Sequence, residues 1–185
     1  MLDPRCWGVT EEEQRMPFPC DRFLTTYDSA YFRGVTVRAR PETVFRWLCQ
    51  LRIAPYAYDW IDNRGRRSPR RLVDGLDRLE LGQKLLIGFR LVDFERGRHL
   101  TIQGDERHVR VFGNMAATYL AAPAEEGCRL LVKVVARYPR APHGWMWRLL
   151  LPWGDLWMMR KQLLTFKELA EATEREQPPA LPAPQ

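Results

Sequence analysis

The order of patterned segments constrains this chain more than any single residue does. One alternating strand is followed by a short helix opened by a proline, then a run of alternating strands, and only one long amphipathic helix is left to cover them. From Tyr31 to Ala39, Val35 and Val37 alternate with Thr36 and Arg38, the period of a half-buried strand. Pro41 suits the first position of a helix and Glu42 the positive end of its dipole, while Val44, Trp47, Leu48 and Leu51 share one face. Four strands are predicted next. Leu85, Ile87, Phe89 and Leu91 mark the first, opposite Arg90, and Leu100 and Ile102 mark the second. Val109 to Ala121 is the third, with Val111, Met115, Ala117 and Tyr119 on one side and Phe112 and Leu120 on the other. Leu130, Val132, Val134 and Ala136 face inward on the fourth, with Lys133 and Arg137 outward. A shorter strand is expected near Arg78 to Leu81, and Glu95-Arg96-Gly97 and Glu125-Glu126-Gly127 read as hairpin turns. Residues 142–174 read as helical with a break near Trp153, because Pro152 and Gly154 interrupt the pattern.

This order is α+β. A sheet curved enough to grip a long helix leaves a layer too deep for side chains to fill everywhere, so an internal pocket is expected, mostly apolar with a few placed polar groups. With 185 residues the chain is one domain with short extensions. Residues 1–28, with Pro4, Pro17 and Pro19, are expected to be an irregular arm, residues 29–175 the domain, and residues 176–185 a disordered proline-rich tail. The 45% apolar and 28% charged content is globular. Cys6, Cys20, Cys49 and Cys128 show no zinc spacing and no CxxC, and His99, His108 and His143 are too few for a histidine-rich centre. No cofactor or metal is expected. The N-terminus does not read as a signal peptide and no apolar run is long enough to span a bilayer, so the expected compartment is the cytoplasm. No nucleophile elbow, phosphate loop or dinucleotide fingerprint occurs.

Three stretches resemble the START-like superfamily, also called SRPBCC. They are VTVRARPETVFRWL (Val35 to Leu48), APYAYDWIDNRGRRS (Ala54 to Ser68) followed by LELGQKL (Leu79 to Leu85), and MMRKQLLTFKELAE (Met158 to Glu171). The resemblance spans about residues 31–171 and implies the helix-grip fold of birch-pollen-allergen-like proteins, with six to seven strands around the closing helix. The superfamily includes polyketide cyclase/dehydrase and lipid-transport proteins. It therefore implies an apolar or amphipathic ligand, with cyclisation chemistry in some members, and the fold does not choose among these.

The residues expected to line the pocket are Trp47, Tyr56, Tyr58 and Trp60, the strand residues Phe89, Leu91, Met115, Tyr119, Val132 and Val134, and Trp153, Trp157 and Arg160 on the closing helix. Tyrosine and tryptophan can hydrogen-bond a ligand while their rings contact its apolar body. Arg160 and Lys167 either snorkel or, for Arg160, pair with an acidic ligand group or a buried carboxylate. Carriage of a small hydrophobic molecule is the leading reading. A cyclase or dehydratase using Tyr58, Asp59 or His108 for proton transfer is the second, although His99 and His108 also read as exposed strand-end histidines. The third is an interaction module. It would use the run Arg64, Arg66, Arg67, Arg70 and Arg71, or, within the tryptophan-rich stretch Trp145 to Met159, the segment Trp145 to Trp153 as a mobile lid or a membrane-touching wedge with Arg148 facing lipid phosphates. No motif for specific nucleic-acid recognition accompanies the arginines, leaving a weak membrane-surface contact as the expected form. The oligomeric state is not legible.

Overall fold

The computed structural model describes residues 3–58, 65, 67–140 and 144–176. The elements are β1 (Cys6–Trp7), α1 (Glu11–Arg15), α2 (Cys20–Phe23), β2 (Ser29–Val37), α3 (Pro41–Cys49) and a 3-10 turn (Gln50–Arg52). There follow β3 (Phe89–Glu95), β4 (His99–Gly104), α4 (Glu106–Phe112), β5 (Asn114–Ala124), β6 (Gly127–Arg137) and α5 (Gly144–Glu176). The sheet has six strands in the order β1-β2-β6-β5-β4-β3, antiparallel except for β1, which lies parallel to β2. This is the expected α+β arrangement of a sheet around one long closing helix.

Strand alternation becomes two sheet faces. In register on the concave side are Leu91, Ile102, Ala117, Val134 and Tyr31, and beside them Leu100, Tyr119, Val132 and Arg33. Against this face lie Met159, Leu163 and Phe166 of α5, all buried, and α3 closes one end. Pro41 does occupy the first helical turn of α3. Trp47 Nε1 donates to Thr173 and Thr43 donates to Glu174, tying α3 to the last turns of α5.

The convex face is covered by the N-terminal arm. Phe18, Cys20 and Leu24 pack on Ala116, Leu120, Leu131 and Val135. Lys133 is outward as expected, yet it is 6% exposed. Its ammonium pairs with Asp21 at 2.6 Å and lies over the rings of Phe18 and Phe32. The arm can approach β2 closely because glycines meet there. Gly8 has φ +68°, and a Cβ on it would lie 2.2 Å from the Gly34 carbonyl oxygen.

Five local expectations are corrected. Val109 and Val111 are not on a strand. Asp105 caps a helix by accepting from the Arg107 and His108 amides, and Gly113 ends it at φ +89°, so β5 starts only at Asn114. The strand expected from Leu85 begins at Phe89, with Ile87 77% exposed, and residues 78–81 form no strand. The closing helix runs without interruption from Gly144 through Pro152 and Gly154 to Glu176. A proline there forfeits one backbone bond, to the carbonyl of Arg148, while its φ remains helical. Finally, His99 is buried and His108 sits on α4, not at exposed strand ends.

If the arm is a packed third layer, Phe18→Ala will lower unfolding stability by about 3 kcal/mol in urea titrations followed by circular dichroism. A loss under about 1 kcal/mol would show the arm to be dispensable.

Candidate functional site

The inward strand residues lie together. Leu91, Met115, Tyr119, Val132 and Val134 are buried on the concave face, and Trp47 and Tyr56 are buried beside them. The space between sheet and helix is spanned by large side chains. The ring of Tyr56 lies 6.0 Å from Trp47 and 5.2 Å from Phe166. Tyr119 donates its hydroxyl to Gln162 Oε1 at 2.9 Å, and Gln162 Nε2 donates to the Pro55 carbonyl. Burial pushes the Tyr119 phenol above its ordinary range.

A second polar group is fixed between β2 and α5. Arg33 has no exposed surface and pairs with Asp155 at 2.7 Å. It also donates to the carbonyls of Pro4 and Phe32. Burial pushes the Asp155 carboxyl up to about 6, with the Arg33 guanidinium pulling the other way. Alongside, the Tyr31 and Tyr138 hydroxyls hydrogen-bond each other. Neither group was singled out by sequence reasoning: Arg33 reads as one more polar residue in an alternating strand until its register is known.

Three residues expected inside are outside. Trp153 and Trp157 are 48% and 59% exposed, and Arg160 lies on the surface with its guanidinium 5.7 Å over the Trp7 ring. Asp155 and Met159 are directed inward, and positions two residues from an inward one project to the opposite side of a helix. Lys167 packs its stem and donates to the Thr36 carbonyl. Tyr58 is part-exposed. Trp60, Asp59, Arg64 and Arg66 lie outside the described residues, and Arg67, Arg70 and Arg71 are exposed, Arg70 pairing with Glu168.

Phe89, also expected to line the pocket, begins a row of rings at the end of the sheet. It stacks on His108 at 4.4 Å, His108 on Phe112 at 4.9 Å, and Phe112 on Trp147 at 4.8 Å. The row joins β3, α4 and the first turn of α5. Two of its buried nitrogens, His108 Nδ1 and Trp147 Nε1, have no hydrogen-bond partner among the described residues. A Cβ on Gly104 would lie 2.8 Å from Nδ1, so the glycine leaves room beside that atom. Burial holds the imidazole below its ordinary pKa against the pull of the Gly113 backbone and Asp105, which keeps it neutral at pH 7. The loop entering β3 is held in an unusual conformation, with Leu86 at φ +60°, and strain of this kind collects where a ligand is clamped. Sequence reasoning missed Phe112 and Trp147. The cap at Asp105 and the stop at Gly113 were the available signal, since they place His108 and Phe112 four residues apart on one helix face.

Two open grooves lie elsewhere, at the rim. One, of about 520 Å³, is lined by residues including Arg38, Arg40, Glu126 and Glu174. The other, of about 690 Å³, has Phe45, Ala121 and Pro123 in its walls and Arg46, Arg96 and Arg98 around it. Neither includes a residue expected to line the internal pocket. Among the described residues no group of histidine, cysteine and carboxylate side chains is arranged to hold a metal. The Cys20, Cys49 and Cys128 thiols are pushed up to about 11, 12 and 12 by burial, which leaves them unreactive.

No protein-family model and no curated protein matches the chain. Solved structures do. Protein NE0264 from Nitrosomonas europaea matches with a TM-score of 0.50 and 11% identity, over 78% of this chain and 95% of that one. Protein CV1439 from Chromobacterium violaceum matches at 0.46 and 14%, over 77% and 96%. Ara h 8.0201 matches at 0.45 and 10%, over 80% and 99%. Likeness at such identities is one of fold, and the fold is the helix grip.

The raised Asp155 pKa fixes a sign. The folded state binds this proton more tightly than the unfolded chain, whose aspartates titrate near 3.9. The stability it contributes is present below about pH 4 and is lost as pH rises through about 6. Unfolding free energies from urea titrations across that window will carry a loss from this group on the order of 2 kcal/mol in the wild type, and Asp155→Asn will remove that part of the slope. An unchanged slope in the variant would assign the titration elsewhere.

Proposed function

We propose that the protein binds a small amphipathic molecule at the aromatic end of its sheet–helix layer. The ligand's polar group would lie against His108 Nδ1 and Trp147 Nε1, and its apolar body against Phe89 and Phe112. The observation that carries this reading is the pair of buried ring nitrogens, without partners among the described residues, in an otherwise apolar row. Buried polar atoms are normally satisfied, and leaving one unmade costs about 1–3 kcal/mol. A neutral imidazole supplies one donor and one acceptor, and indole supplies a donor. The site thus suits a ligand group that both gives and accepts, such as a hydroxyl or carboxylic acid. The fold supports the reading, since a concave apolar face gripping a helix can enclose hydrophobic matter. Proton-transfer chemistry has less support: His108 lies among phenylalanine rings on α4, while Tyr58 is part-exposed on a different segment.

Native mass spectrometry of freshly purified protein, followed by organic extraction, is expected to show a discrete bound mass. Trp147→Phe keeps an aromatic ring but removes the N–H donor and part of the bulk, and Gly104→Ala fills the space beside His108 Nδ1. Each is expected to weaken binding of the extracted molecule about tenfold, the worth of one hydrogen bond; because the Gly104→Ala methyl also displaces the His108 ring, thermal melts of the empty variants separate lost binding from lost stability. Affinity unaltered in both variants would remove the ligand from this end of the molecule.

A further inference from the structure

The outer face of the first half of α5 is apolar and unpartnered. Trp145, Leu149, Trp153 and Trp157 recur every four residues, a step that turns only about 40° around the helix. They form one stripe and are 67%, 62%, 48% and 59% exposed, with Leu150 beside them at 55%. Solvated helix faces rarely show this, and contiguous exposed apolar surface marks an interaction site.

Charge selects the occupant. Residues 144–161 contain three cations, Arg148, Arg160 and Lys161, and one carboxylate, Asp155. Asp155 is turned inward onto Arg33 and is 12% exposed. The outer face therefore offers aromatic rings and positive charge with no free acid. Arg160 and Lys161 continue the stripe at its far end, and Arg148 flanks its start, 3.5 Å from Asp28. The other acids of α5 are all in its second half, where Glu168, Glu171 and Glu174 pair with Arg70, Lys167 and Arg40. A second copy of a chain with net charge +6 brings net repulsion to this basic face. Tryptophan prefers the boundary between hydrocarbon and headgroups, and lysine and arginine beside it meet anionic headgroups. No helix among the described residues is long and apolar enough to cross a membrane.

We infer that the protein docks on anionic membrane surfaces through this face of α5, lying flat with the stripe at the headgroup boundary. The inference is independent of the ligand site, because docking needs nothing bound among Phe89, His108, Phe112 and Trp147.

The test is flotation of the full chain with vesicles of phosphatidylcholine alone and of phosphatidylcholine with phosphatidylserine. Wild type is expected to float with the anionic vesicles at low salt, each stripe cation contributing about fivefold. Arg160→Glu with Lys161→Glu will abolish the preference for phosphatidylserine. Trp153→Ser with Trp157→Ser will reduce binding about tenfold, with an unchanged circular-dichroism melt because both rings are exposed. Absence of flotation, or flotation unaffected by either pair of substitutions, would overturn the inference. So would sedimentation showing a dimer that the tryptophan substitutions dissociate, which would make the stripe a contact between copies.

Discussion

The buried guanidinium of Arg33 is the constraint on which the arrangement turns. An arginine with no exposed surface must find its counter-charge inside the protein, because an unpaired charge in that position costs several kcal/mol. Its partners come from three separate parts of the chain: Asp155 on the closing helix, the carbonyl of Pro4 in the arm, and the carbonyl of Phe32 in its own strand. One side chain thus ties together the sheet, the helix and the arm. The connection also sets the rotation of α5. With Asp155 directed inward, Leu151 and Trp147, four and eight residues before it, fall near the same side and pack on the core. Trp153 and Trp157, two residues to either side, are carried outward.

That rotation explains how one helix presents two different aromatic surfaces. Trp147 closes the ring row begun by Phe89, whereas Trp145, Leu149, Trp153 and Trp157 are left on the outside. The inner surface has buried ring nitrogens with no partner among the described residues, whereas the outer surface presents exposed rings and cations. The first is suited to a molecule with a directional polar group, and the second to a fluid boundary where orientation is set by burial depth and charge.

Much of the fold was legible because it rests on local periodicity. The alternation in Val35 and Val37, and in Leu130, Val132, Val134 and Ala136, specified which side faces inward, and Pro41 marked where α3 begins. What failed was decided by contacts distant in sequence or by caps. Val109, Val111 and Phe112 look like a strand, since alternating β-branched and aromatic residues favour one. Asp105 and Gly113 overrule that preference by satisfying the ends of a helix. In α5, apolar residues occur on both faces, so the wheel alone could not assign Trp153 and Trp157. The deciding contact joins Arg33 to a residue 122 positions away. The ring row was hidden for the same reason: its members come from three elements that only the fold brings together.

The charge pattern along α5 gives the last step. Charge is unevenly placed along α5, with Arg148, Arg160 and Lys161 against the single carboxylate of Asp155 up to residue 161 and Glu168, Glu171 and Glu174 beyond it. In the second half the carboxylates are partnered, Glu174 by Arg40 and Glu168 by Arg70 from other segments and Glu171 by Lys167 at 3.5 Å on the same helix. In the first half the inward carboxylate is taken by Arg33, while Arg160 and Lys161 have no acidic side chain within ion-pair distance among the described residues and Arg148 has only a 3.5 Å contact with Asp28. The folded chain therefore retains uncompensated positive charge beside exposed tryptophan along the first half of its longest helix. Internal stability does not call for that combination, since charged or polar residues of either sign would solvate the face better. It becomes favourable where anions and a hydrocarbon boundary meet, and the acidic half remains clamped to α3, holding the helix while its other end engages.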